Sequence, residues 1–209
     1  AADAMVRSDS VNRANDNHGA DPFLGVGTDL IRSLLYFDLS SVTGPVVSAR
    51  LEMHVAHYIT GSGQTYELAI NRVVESGDRT PWIEGNGSEV TPAPTGVVWV
   101  NEAEGVAWLG AGDGGDANNQ TRPDFDPLVY ASVNLVQTEH PAGDIIFWDI
   151  TALVNGWLNG DYPNYGFYLR DVHLPTTSRQ VWFGSRDGLL RQYTDPRVQP
   201  GPRLVLEVE

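Results

Sequence analysis

Leu51-Glu52-Met53-His54-Val55-Ala56 is the stretch that decides the fold class. Leu51, Met53 and Val55 alternate with Glu52, His54 and Ala56, and a period of two places each set on its own face of an extended chain, which predicts a half-buried β-strand. The same alternation recurs at Tyr66, Leu68 and Ile70 and again at Leu204, Leu206 and Val208. Arg32–Leu39, Pro127–Gln137, Ile145–Ile150, Gly166–Arg170 and Gln180–Gly184 are also short, apolar or aromatic, and bounded by Gly, Pro, Asp or Asn. About ten strands at this spacing predict an all-β sandwich or barrel.

One helix interrupts the pattern. Thr151 is a good N-cap residue, and Leu153, Val154, Trp157 and Leu158 then form one apolar stripe, continued back to Ile150. Asn159-Gly160 stops the helix, so a short cap anchored by Trp157 is expected on the sandwich. The stretch from Gly85 to Gly143 is the loosest, yet Trp99, Trp108, Leu128 and Tyr130 give it too much apolar surface for disorder. It reads as long ordered loops with one or two strands inside a single domain spanning residues 1–209.

The composition narrows the function classes. The net charge is -14, and all 13 basic residues are arginine. Such a chain repels phosphate backbones and anionic membranes, and no basic stripe interleaved with aromatics offsets the repulsion, so no nucleic-acid partner is expected. No apolar run approaches the ~20 residues that cross a bilayer as a helix, and no membrane insertion is expected. There is no cysteine, hence no disulfide and no thiolate. Ala1-Ala2-Asp3 reads as the mature end left by cleavage after small residues, which predicts a secreted, extracellular or cell-surface protein.

The order of motifs is also distinctive. Asp3–Ser10 leads to Asn17-His18-Gly19 and Leu24-Gly25-Val26-Gly27, then to Arg32–Ser40 and Ser48-Ala49-Arg50-Leu51-Glu52-Met53. Trp82, Gly96-Val97-Val98-Trp99, Trp148-Asp149-Ile150-Thr151 and Asn164-Tyr165-Gly166-Phe167 follow, and Phe183-Gly184-Ser185-Arg186-Asp187 and Pro202-Arg203-Leu204 close the series. Over nearly the whole chain this order resembles the DNRLRE family of extracellular modules, also classed among carbohydrate-binding modules and related to disaggregatase-type repeats. The chain departs from that pattern where Ser185-Arg186-Asp187 replaces Ser-Arg-Glu, and Asp187–Pro200 is longer than the pattern implies. The resemblance implies a jelly-roll-like sandwich of about ten strands with one short helix. It also implies attachment without catalysis, with Trp148, Trp157 and Phe167 in the core.

The residues themselves offer no catalytic centre to set against this. No Gly-x-Ser-x-Gly elbow occurs, and in a regular strand His54 and His57 would point to opposite faces. Calcium is the one cofactor suggested. Asp113-Gly114-Gly115-Asp116-Ala117-Asn118-Asn119 sets carboxylate and amide oxygens on a tightly turning backbone, with Asp113, Asp116 and Asn118 as ligands. Asp9, Asp16 and Asn17 form a second, weaker candidate. For the Asp113–Asn119 segment a plain solvated turn is the competing reading. Trp108, Trp182, Tyr162 and Tyr165 are the candidate ligand platforms, since sugar-binding sandwiches stack rings on pyranose faces, although core packing competes for each. Arg32 and Arg186 suit buried ion pairs, or alternatively bidentate recognition of a sugar carboxylate. Asn86-Gly87-Ser88 and Asn119-Gln120-Thr121 match the N-glycosylation triplet.

Two functions are therefore expected to compete. The first is carbohydrate binding or adhesion, with a polysaccharide as partner. The second is self-assembly of identical subunits into an extracellular filament, sheath or matrix, since sandwich edges and a strand running to Glu209 offer pairing sites.

Overall fold

A computed structural model describes residues 1–7, 15–27, 31–59, 63–74, 82–88, 95–98, 101–103, 106–107, 125–172, 179–190 and 195–209. In chain order the elements are β1 (Ala2–Arg7), β2 (Phe23–Val26), β3 (Ile31–Tyr36), β4 (Val46–Ile59), β5 (Thr65–Arg72), β6 (Asn101–Ala103), β7 (Val106–Ala107), β8 (Ala131–Val136), β9 (Ile145–Asp149), α1 (Thr151–Asn159), β10 (Phe167–Asp171), β11 (Gln180–Gly184), α2 (Arg186–Leu190) and β12 (Arg203–Val208). Ten of the strands build two five-stranded antiparallel sheets, as the alternation predicted. The first sheet runs β1-β3-β10-β5-β8, and the second joins β12, β4, β11 and β2, with β9 also on β4. Strands β2 to β5 alternate between the sheets, as do β8 to β11. Returning β10 slots between β3 and β5 while β9 lies on β4, which is jelly-roll crossing.

The fourteen-residue β4 is the spine of the second sheet. Its first part pairs with β12 and β9, and its last part with β11. Between these parts β4 carries a bulge, because Phe183 faces Val55 while the next residue of β11, Trp182, faces His57. The extra residue, Ala56, is buried in the core beside Val55, and His54 and His57 are both half-buried. Period-two alternation does not carry across such a bulge, so the expected separation of the two histidines onto opposite faces fails.

The core joins both sheets. Leu51, Met53, Val55, Ile146, Trp148 and Phe183 pack against Leu35, Tyr66, Leu68, Ile70, Phe167 and Leu169, with Leu153, Val154 and Trp157 from α1 closing one end. Trp148 is buried, and its indole N–H donates to the Leu68 carbonyl across the sandwich (3.1 Å), which satisfies its one polar atom. Trp157 stacks on Phe167, as expected of an anchor.

The start of α1 differs from expectation. Ile150 occupies the N-cap position, and Thr151 is the first helical residue. The Thr151 hydroxyl instead accepts from the Ala49 N–H (2.9 Å) and donates to Asp149 Oδ1 (2.6 Å), tying helix to sheet. Gly160 ends the helix in the left-handed region (φ 76°), as expected. The five-residue α2 was not expected.

A second apolar cluster lies on the outer face of the first sheet. Ala4, Val6, Leu34 and Tyr168 pack there with Val73, Trp82, Val97 and Phe125. Part of the loose Gly85–Gly143 stretch is therefore a cover, and β1, β3 and β10 are buried along almost their whole length.

Candidate functional site

The outer face of the second sheet is the one left open, and it divides at the β4 bulge. Beyond the bulge, His57 stacks on Trp182 at 5.5 Å and meets the edge of Phe23 at 5.0 Å, while the Arg197 guanidinium lies over Phe23. Asp195 holds Arg197 through both carboxylate oxygens. Loss of hydration first, and Arg197 second, push the His57 pKa down to about 4, so the ring is neutral at ordinary pH.

Before the bulge the face is bare. Ala49, Leu51 and Met53 of β4 point inward with Ile146 and Trp148 of β9, so the strand period turns Ser48, Arg50, Phe147 and Asp149 outward. In register beside them on β12 stand Arg203 opposite Glu52, Val205 opposite Arg50, and Glu207 opposite Ser48. Ser48, Arg50, Phe147, Asp149, Val205 and Glu207 line an open groove of about 560 Å³, a size within the range of small-molecule sites. Phe147 is 47% exposed, and the Arg50 guanidinium sits 4.9 Å from its ring centre.

Every polar group in the groove is held in place. Arg50 donates to Glu52 Oε1 through Nε (3.1 Å) and a terminal nitrogen (2.7 Å), which fixes the guanidinium over the ring. Ser48 donates to Glu207 Oε2 at 3.1 Å. Asp149 Oδ1 accepts from both the hydroxyl and the backbone N–H of Thr151, and these bonds hold its carboxyl below the usual range. The groove thus presents an aromatic ring, an arginine and fixed carboxylate acceptors. That set can stack on an apolar face and hydrogen-bond hydroxyls around it.

The sequence-predicted residues lie elsewhere. Trp182 is buried, with its indole N–H donating to Gln180 Oε1 (3.2 Å), so it is no exposed platform. Tyr165 is half-buried, packs against the outer cluster, and accepts the Trp82 indole N–H at its carbonyl. Tyr162 is also half-buried. Arg72 covers its ring at 4.4 Å, Tyr130 meets it edge-on, and burial pushes its pKa up to about 12. The Tyr162 hydroxyl also occupies the space a side chain at Gly156 would need. Trp108, Asp9, Asp113, Asp116 and Asn118 lie outside the described residues. Asp16 is half-buried, and Asn17 is buried with its amide fully engaged. Its NH₂ donates to the carbonyls of Glu84 and Val97, and its oxygen accepts the N–H groups of Gly87 and Gly19. Among the described residues, no three His, Asp or Glu side chains are placed to hold a metal ion.

The two arginines singled out in the sequence do structural work. Arg186 pairs with Glu84 (2.7 Å) and bonds the Ala1 carbonyl, while its backbone N–H donates to Asp3. Asp3 in turn gives its own N–H to Glu84 Oε1, and its buried carboxyl is pushed up to about 7, chiefly by loss of hydration. Arg32 is fully buried, with its guanidinium near the Phe125 ring, which Arg170 also approaches. Asp38, by contrast, is at the surface holding the Ser40 N–H.

Sequence reasoning passed over Phe147 and Arg50. The signal was present, because Phe147 falls between two inward residues in Ile145–Ile150, just as Arg50 and Glu52 flank Leu51. No protein-family model matches the chain, and no curated protein matches it. The DNRLRE resemblance therefore rests on the motif order alone.

Proposed function

We propose that this chain is a secreted, non-catalytic carbohydrate-binding module whose ligand lies across the open face of β12, β4 and β9. The observation carrying the reading is the groove itself, where an exposed aromatic ring is ringed by side chains already locked by neighbours. Preorganised groups lose little freedom on binding, so more of the contact energy appears as affinity. The acidic chain repels anionic polymers, which makes a neutral glycan the ligand of choice. Asp149, held ionised, is suited to accept hydrogen bonds and ill suited to act as a general acid, which supports binding over hydrolysis. The same reading keeps calcium in the Asp113–Asn119 loop, whose oxygens and glycines match the ion's preference.

Affinity electrophoresis through gels containing neutral polysaccharides tests the proposal. At least one gel should retard the protein, and Phe147→Ala should abolish the retardation. Free migration in every gel, or retardation unchanged in Phe147→Ala, would overturn it.

A further inference from the structure

The exposed strand edges are not protected equally. Nature blunts a free edge with charge, proline, a bulge, shortness or a cover, because unpaired N–H and C=O groups invite another strand. The outer edge of β1 is covered, since Asp3 donates to Glu84 and Met5 bridges to His18. Strand β2 is only four residues long and has the Ser33 hydroxyl on the Gly25 carbonyl. Strand β12 carries Arg203, Glu207 and a bulge near its end, and β9 ends in Asp149.

Among the described residues, strand β8 has no charge, proline, bulge or cover along Ala131–Leu135. Ala131-Ser132-Val133-Asn134-Leu135-Val136 holds no charge, no proline and no glycine, and it pairs without a bulge along its whole length with β5. Among the described residues β5 is its one strand partner. Just past the strand, Gln137 donates to the Gln64 carbonyl, and antiparallel alternation then assigns Ala131, Val133 and Leu135 to the β5 ladder. Ser132 and Asn134 present their N–H and C=O groups outward, while the Val136 carbonyl accepts the N–H groups of Glu139 and His140 and closes that end of the edge. Leu128 and Val129, 57% and 42% exposed, stand immediately before the strand.

We propose that the outer edge of β8 is a self-association edge, pairing antiparallel with β8 of a second copy about a two-fold axis. This goes beyond the glycan reading and does not depend on it. The charge distribution selects the occupant. Copies carrying a net charge of -14 repel one another broadly, so they meet most readily along a segment with no charge of its own. An antiparallel strand is also self-complementary about a two-fold axis, which is the commonest symmetry of homo-oligomers. The contact joins two five-stranded sheets into one of ten, with Asn134 near the axis.

Sedimentation of the full chain across a concentration series tests the proposal. The wild-type protein should show a concentration-dependent dimer, and Asn134→Lys and Asn134→Asp should each be monomeric with melting temperatures unchanged. Mixing the two variants should restore the dimer, because opposite charges then face each other across the axis. A wild-type protein monomeric throughout the series, or a dimer that persists in both single variants, would overturn it. Phe147→Ala should dimerise normally, so failure of the glycan reading leaves this result distinguishable.

Discussion

The outer faces of the two sheets are built from the same kind of strand and end in opposite conditions. On the first sheet, Leu34 and Tyr168 face Trp82, Val97 and Phe125, and even the guanidiniums of Arg32 and Arg170 are buried about the Phe125 ring. On the second, Arg50 lies over Phe147 in a similar pairing of cation and ring, yet both are in water. A buried cation–aromatic contact is stronger because its charge is desolvated. An exposed one holds a ring ready at little cost. The difference shows that irregular segments cover one face and leave part of the other open.

The sharpest way to break the contrast is to remove one ring from each face. Phe125→Ala should destabilise the protein by about 3–5 kcal/mol, the usual cost of deleting a large buried aromatic. Denaturant unfolding measures it, and a loss below ~1 kcal/mol would mean that the cover is not packed. Metal chelation tests the calcium proposal. Saturating ion at about 100 times its dissociation constant contributes ~2.7 kcal/mol, so excess chelator should lower the melting temperature by several degrees. An unchanged melting curve removes calcium from the account.

The pH dependence separates Asp3 in β1 from His57 beyond the bulge of β4. Asp3 has a folded pKa raised from 3.8 to about 7, so its contribution is fully present below 3.8 and is lost as pH rises through 7. His57 works in the opposite sense. Its folded pKa is depressed from 6.5 to about 4, so stability present above 6.5 is lost as pH falls through 4. The melting temperature of Asp3→Asn minus that of wild type should therefore rise between pH 4 and 7. A flat difference would show that Asp3 is ionised throughout. The smallest effect belongs to Phe147→Ala, which should change stability by no more than about 0.5 kcal/mol while removing glycan retention. A larger loss would make Phe147 a core residue and the groove an accident of packing.

Strand β11, read from the sequence as Gln180–Gly184, has those bounds in the structure, because an apolar run closed by glycine leaves little freedom. The stripe of α1 was legible for the same reason. The outer cluster was not, since Trp82, Val97 and Phe125 are single residues in irregular segments with no period to announce them. Trp182 was set among the platforms because it sits between Val181 and Phe183, which assumes that one face of a strand is wet. In β11 both faces are buried, so alternation carried no information there. Phe147 was passed over because an aromatic residue inside an apolar run does not by itself announce which face it occupies.

The fourteen-residue β4 also sets a schedule. All three strands that pair with it, β9, β11 and β12, are encoded after it, and the nearest begins at Ile145 while β4 ends at Ile59. At ~5–20 residues per second, synthesis alone separates the last residue of β4 from the first of β9 by roughly 4–17 s. For that interval the longest strand of the second sheet has no native strand partner among the described residues. Its distant pairings also place this chain among the slow folders, for which long loops must close before any contact repays their entropy. A holdase acting early in synthesis would serve this chain best by masking residues 46–59.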